Sequence, residues 1–173
     1  MKQNEQATQQ SPVADSALKT SHACYAECLA QSVMEKKMEI ECIAGFAMIT
    51  KDPDASAALY RDGLGLPLKR QGDYLFTDRF PGAKHFGVWP LAMAAQSCFG
   101  QNEWPGYIPE PTITIEFELR DVAAVEAAVQ EMKEKGQKFI HEARLEPWGQ
   151  TVARFISPEG ALIGLSYAPW LHE

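Results

Sequence analysis

The sequence predicts an α+β fold in which two βαβββ modules pair side by side to complete one domain. Three observations carry this expectation. The stretch TITIEFELRD, residues 112–121, alternates strictly, so Ile113, Ile115, Phe117 and Leu119 share one face of a strand, with Thr112, Thr114, Glu116 and Glu118 on the other. An aspartate, a helix and three short strands follow it. The same order occurs once before, beginning at residue 39, and neither module is large enough to cover its own sheet alone.

The elements read as follows. Residues 1–37 form a polar N-terminal extension rich in Gln, Ser, Ala and Lys, disordered or loosely helical and outside the domain. Within it, His22, Cys24 and Cys28 lie close together, but zinc needs four ligands and none follow at a matching spacing, so they read as incidental helix-face residues. The domain spans 38–173: module one over about 39–90, a connector over 91–111 and module two over 112–169. EIECIAGFAMIT is the first strand, with Cys42, Ala44, Phe46 and Met48 on one face and Ile43, Gly45, Ala47 and Ile49 on the other. Asp52 caps a helix that starts at Pro53, presents Ala55, Ala58 and Leu59, and stops at Gly63. LKRQG, YLFTDRF and KHFGVW are short strands separated by turn-formers. A helix in PLAMAAQSCFG ends at Gly100 and leads into a Pro- and Trp-containing connector. After the 112–119 strand, Asp121 caps a helix whose stripe is Val122, Val125, Val129 and Met132 and whose end is Gly136. KFIHEAR, TVARFIS and ALIGLSY complete the second module, the last two joined by the turn SPEG.

Composition bounds the function. The 173 residues carry 23 acidic and 16 basic side chains, a net charge of −7, which disfavours a nucleic-acid partner. No apolar run is long enough to cross a bilayer, so no membrane association is expected, and the N-terminus lacks the features of a secretory signal. A cytoplasmic protein is expected. Cys24, Cys28, Cys42 and Cys98 are too few and too irregularly spaced for a disulfide framework and are read as reduced thiols.

Two stretches are recognisable. ITKDPDASAALYRDGLGL resembles the strand–Asp–helix–Phe/Tyr–Leu-Gly opening of the vicinal-oxygen-chelate (VOC) superfamily, which includes glyoxalase I, extradiol dioxygenases and bleomycin-resistance proteins. EPWGQTVARFISPEGALIGLSY resembles its closing hairpin, with Ser157 where the family usually has Asp. The resemblance covers residues 40 to about 169 and implies one glyoxalase/bleomycin-resistance-type domain. Its sheet would curve, with helices on the convex back and a ligand cleft on the concave front, and a homodimer is expected. On that fold the apolar face of residues 113–119 meets the helices, and Glu116 and Glu118 face the cleft.

The metal-using relatives hold a divalent cation from four strand positions. Those positions fall here on Gly45, on Thr114 (or Ile115 in a shifted register), on Gly87 or Val88, and on Gly164. None is a usual side-chain ligand. The expectation is therefore no metal and no cofactor, closest to the glyoxalase/bleomycin-resistance-like group that lacks the ligands. A site rebuilt from His85, Glu116 and Glu118 is conceivable, but His85 reads better as a hydrogen-bonded wall residue.

The candidate ligand-binding residues are His85, Trp89, Trp104, Tyr107, Glu116, Glu118 and Arg154, with Tyr74 and Phe76 as a further wall. Trp148 reads as a loop anchor and Cys98 as a small buried hydrophobe. Glu116 and Glu118 repel each other when desolvated, and either Arg154 or a cationic ligand could compensate them. A structural Glu–Arg network and packing roles for the aromatic residues stand as alternatives. The expected function is metal-free binding of a planar or cationic small molecule. The alternative is a glyoxalase-like lyase or isomerase with Glu116, Glu118 or His85 as catalytic candidates: a glutamate as general base, and His85 or Arg154 steadying an enolate. A third reading is a cleft without ligand and a surface serving a protein partner.

Overall fold

The structure, a computed structural model, describes residues 38–79 and 81–173; the expected extension with His22, Cys24 and Cys28 lies outside the described residues. The element order is β1 (Cys42–Thr50), α1 (Pro53–Ala57, continued by a π-helical turn over Ala58–Gly63), β2 (Lys69–Gln71), β3 (Tyr74–Thr77), β4 (Phe86–Pro90) and α2 (Leu91–Phe99). The second half adds β5 (Ile113–Glu118), α3 (Val122–Glu134), β6 (His141–Leu145), β7 (Thr151–Ile156), β8 (Leu162–Tyr167) and a 3-10 turn over Pro169–Leu171. Strand, helix and three strands thus occur twice, on either side of α2. All the strands join one eight-stranded sheet, ordered β2-β3-β4-β1-β5-β8-β7-β6. The modules meet where β1 and β5 run antiparallel, while β4 and β8 flank them as parallel neighbours.

Local chemistry places the helices. The Asp52 and Asp121 carboxylates accept from the N–H groups of Ala55 and Ala124, at 2.9 and 2.7 Å, and satisfy donors that a helix start leaves open. Gly100 ends α2 in the left-handed conformation, with φ of 73°. Gly160, φ 86°, closes the SPEG turn by donating its N–H to the Ser157 carbonyl.

The core sits between sheet and helices, as the alternation of residues 113–119 predicts. Ile115, Phe117 and Leu119 pack with Val125, Ala128 and Val129 of α3, and with Phe155 and Leu165. Met132 joins this cluster, but Val122 stays 40% exposed and Ala128 takes its place in the buried stripe. The first helix departs more from expectation. Widening into a π turn rotates the chain so that Ala57 is buried and Tyr60 packs beside it, while Leu59 is exposed. β6 starts at His141, three residues later than the pattern suggests. In β1 an irregularity between Ile43 and Gly45 breaks the strict alternation, so Ala44 and Gly45 both border the concave face. No helix among the described residues is long and apolar enough to cross a membrane.

Candidate functional site

The concave face encloses a cavity of about 740 Å³, whose walls come from β1, β3, β4, β5, β7 and the C-terminal turn. A shallower depression of about 520 Å³ lies beside α3 and carries no comparable grouping of polar and aromatic side chains.

Strand register builds the floor. Glu116 on β5 stands beside Gly45 on β1 and Gly164 on β8, and Gly164 stands beside Arg154 on β7. Glu116 and Arg154 are therefore two strands apart, roughly 9–10 Å along the sheet. The bare glycine between them lets the side chains meet: Arg154 Nη1 donates to Glu116 Oε1 at 2.8 Å. A Cβ on residue 164 would lie 3.0 Å from Glu116 Cγ and 3.2 Å from Val152 Cγ2, obstructing that path. Gln150 Nε2 donates to the other carboxylate oxygen at 2.9 Å, and the Trp148 indole donates to Gln150 Oε1 at 2.9 Å. The Arg154 guanidinium also lies over the Trp89 ring, 5.1 Å from its centroid. Arg154 is only 1% exposed, so its charge is compensated inside the protein.

The opposite wall is a second polar string. Tyr74, Phe76 and His85 stack with ring centroids 5.5–6.0 Å apart. The Tyr74 oxygen lies 2.6 Å from His85 Nε2, and His85 Nδ1 lies 2.6 Å from Asp78 Oδ1. Glycines again make the room. A Cβ at Gly87 would fall 2.4 Å from the Tyr74 oxygen, and one at Gly45 would fall 2.8 Å from His85 Cβ. Burial, reinforced by the negative charges of Glu116 and Asp78, pushes the Tyr74 phenol well above its usual range, so its hydroxyl stays protonated.

The sequence-derived candidates divide accordingly. His85, Trp89, Glu116 and Arg154 border the cavity together, and Tyr74 and Phe76 form the expected wall. Glu118, Trp104 and Tyr107 do not. Glu118 is on the same strand face as Glu116 but is 1% exposed beneath the C-terminal segment, where Ser166 Oγ, the Ala168 N–H and His172 Nε2 surround its carboxylate. Trp104 packs edge-on against Phe99 beside α2 and donates to the Ile108 carbonyl. Tyr107 is 83% exposed on the connector. Trp148, read as a loop anchor, instead lines the cavity.

Asp78, Gln150 and Trp170 are cavity residues that sequence reading missed. The WGQ run around Trp148 held a usable signal for Gln150. Nothing local marks Asp78 or Trp170, because each reaches the cavity through tertiary contacts. Cys98 fits its assignment: it is buried among Ala94, Ala95 and Trp104, and burial pushes its thiol up to about 11.

The positions that the resemblance assigns to metal ligands contain no donor set. Gly45, Gly87 and Gly164 have no side chain, and Thr114 offers one hydroxyl. The space where ligands would project is filled by His85, Tyr74 and Glu116. Among the described residues no three His, Cys, Asp or Glu side chains group as a cation requires, so His85, Glu116 and Glu118 do not form the rebuilt site. A divalent cation does not fit these residues.

One edge residue links the sheet to pH. His141, paired with Arg154 across β6 and β7, places Nδ1 2.9 Å from the Glu142 carbonyl oxygen, while Nε2 is buried without a partner. Burial lowers its pKa to about 4; the hydrogen bond opposes the shift and the charges of Arg144 and Arg154 add to it. The unfolded chain has an ordinary histidine, near 6.5. Below that value the unfolded state binds a proton that the folded state refuses, so His141 removes stability as the pH falls from 6.5 towards 4. Urea unfolding of wild type and His141→Gln across this window is expected to show a shallower decline in the variant. Parallel curves would refute the assignment.

The profile of the glyoxalase/bleomycin resistance protein/dioxygenase superfamily matches residues 43–165, well over half of the chain. A comparison with curated proteins finds no match. Among solved structures, a superfamily member from Vibrio splendidus 12B01 is 12% identical with a TM-score of 0.48, covering 75% of this chain and 100% of that one. A glyoxalase/bleomycin resistance protein/dioxygenase from Nocardioides is 19% identical with a TM-score of 0.35, covering 83% and 92%. A variant of Streptomyces coelicolor methylmalonyl-CoA epimerase, in complex with 2-nitronate-propionyl-CoA, is 16% identical with a TM-score of 0.46, covering 76% and 99%. The profile match over two repeated modules sharing one sheet establishes that this chain belongs to the glyoxalase/bleomycin resistance protein/dioxygenase superfamily.

Proposed function

We propose that the protein binds a planar small molecule in the concave cavity without a metal. The observation that carries this reading is the lining: stacked Tyr74, Phe76 and His85 on one side, Trp148 and Trp170 on another, above a floor whose buried ions are already paired. Aromatic walls offer broad apolar contact and favourable ring–ring geometry to a flat ligand.

Support for the cationic part of the expectation weakens. Of the two carboxylates it drew on, Glu118 is outside the cavity and Glu116 is engaged by Arg154 and Gln150. Asp78 and Glu116 are matched in the lining by Lys84 and Arg154. The same pairing commits Glu116 to the floor network with Arg154 and Gln150, which supports a structural role over that of a general base in a lyase or isomerase.

Equilibrium dialysis tests the proposal, with 2-methoxynaphthalene as the planar probe and 2-methoxydecalin as its saturated counterpart. Saturable binding of the planar probe is expected, several-fold tighter than the saturated one and weakened about threefold to tenfold by Trp148→Ala. Equal binding of the two probes, or none, would refute it.

A further inference from the structure

The hydrogen-bond direction along the Tyr74 wall specifies what a ligand must bring. Asp78 Oδ1 lies 2.6 Å from His85 Nδ1 and, as a carboxylate, accepts; in the neutral tautomer that this contact favours, His85 carries its proton on Nδ1. Nε2 is then an acceptor, and the Tyr74 hydroxyl donates to it at 2.6 Å. The hydroxyl's single proton is spent inside the wall. What the Tyr74 oxygen presents to the cavity is a lone pair, polarised by the string behind it.

The floor has the same polarity. Glu116 accepts from Arg154 and Gln150 and has only further acceptor capacity to offer. Gln150 Oε1 is taken by the Trp148 indole. Arg154 Nη1 is committed to Glu116 and its guanidinium is covered by Trp89, while Lys84, Gln71 and Thr114 bring donors to other parts of the lining. At the Tyr74 oxygen, a ligand's carbonyl or ether oxygen would face acceptor against acceptor; a ligand O–H placed there would complete the chain.

From this geometry we infer that the cavity selects planar ligands bearing a conjugated hydroxyl, a phenol or an enol, whose O–H donates to the Tyr74 oxygen and extends the string through His85 to Asp78. The glycines on β1 and β4 support this reading. Gly87 and Gly45 leave the volume that Tyr74 and His85 occupy, so those positions accommodate the hydrogen-bonding string. The inference rests on the aromatic-cavity reading and specifies its ligand class.

The test is equilibrium dialysis of the full chain against 2-naphthol and 2-methoxynaphthalene, two probes that differ in the hydroxyl proton. Wild type is expected to bind 2-naphthol at least tenfold more tightly. Tyr74→Phe keeps the ring but removes the accepting oxygen, and is expected to abolish the preference, so that the two probes bind with equal affinity to the variant. Asp78→Asn is a second variant at an exposed position: an amide can donate to Nδ1, reversing the string, so the preference is expected to fall at least threefold. Equal affinities in wild type would overturn the phenol inference and leave the planar-ligand cavity standing. A preference that survives both variants would also overturn it, because the hydroxyl would be read elsewhere. Failure of both probes to bind would overturn the cavity reading and this inference together.

Discussion

Arg154→Ala is expected to lower the free energy of unfolding by about 3–5 kcal/mol, the typical loss when one partner of a buried ion pair is removed. Arg154 is 1% exposed, and its removal leaves Glu116 below the cavity without its cation and Trp89 without the charge over its ring. Gln150 alone would remain to stabilise the carboxylate. The size of the effect comes from stranding Glu116, so the paired replacement Arg154→Met with Glu116→Leu should recover most of the loss. Urea unfolding of the four corners of this cycle measures both terms. A single-variant loss below about 1 kcal/mol, or no recovery in the double variant, would show that the pair is solvent-compensated and not a buried network.

Glu118→Ala is expected to cost about 2–4 kcal/mol, by leaving buried donors unmatched, and to release the C-terminal wall of the cavity. Its carboxylate accepts from Ser166 Oγ at 2.8 Å, from the Ala168 backbone N–H, and from His172 Nε2 at 3.0 Å. His172 also lies 3.6 Å from Glu41 and packs against Tyr167. This clasp positions Ala168, Trp170 and Leu171, which line the cavity. Amide exchange at residues 168–172 should rise at least tenfold in Glu118→Ala, with exchange in α3 following only the global loss. Glu118→Gln keeps an oxygen for the Ala168 N–H and should lose less. Unchanged exchange at 168–172 would show that packing of Trp170 and Leu171, and not the carboxylate, holds the segment.

Glu116 and Glu118 show where sequence periodicity stops being informative. A two-residue repeat assigns both to one strand face, and the structure agrees. It cannot say what lies above each position. Glu116 opens on a cavity because its neighbours across the sheet are Gly45 and Gly164, whereas Glu118 is roofed by a segment some 50 residues later in the chain. Trp104 and Tyr107 failed as cavity candidates for a related reason. A connector's aromatic content is visible in sequence, but whether it folds over the sheet or away from it depends on long-range packing.

Residue order alone carried the two-module α+β architecture, the capped helices, the apolar backs of the strands, and the bare glycines at 45, 87 and 164. These follow from local rules: side-chain period, capping chemistry, turn residues and the identity of single positions. What fills the space beside those glycines emerged only from the folded chain. Glycines on β1, β4 and β8 admit side chains from β1's neighbours and from the β3–β4 wall, and cross-strand register then joins Glu116 to Arg154 and Tyr74 to His85. Side chains far apart in sequence become partners only once register and curvature are set, because a residue without a Cβ acquires its meaning from whatever occupies the space it leaves.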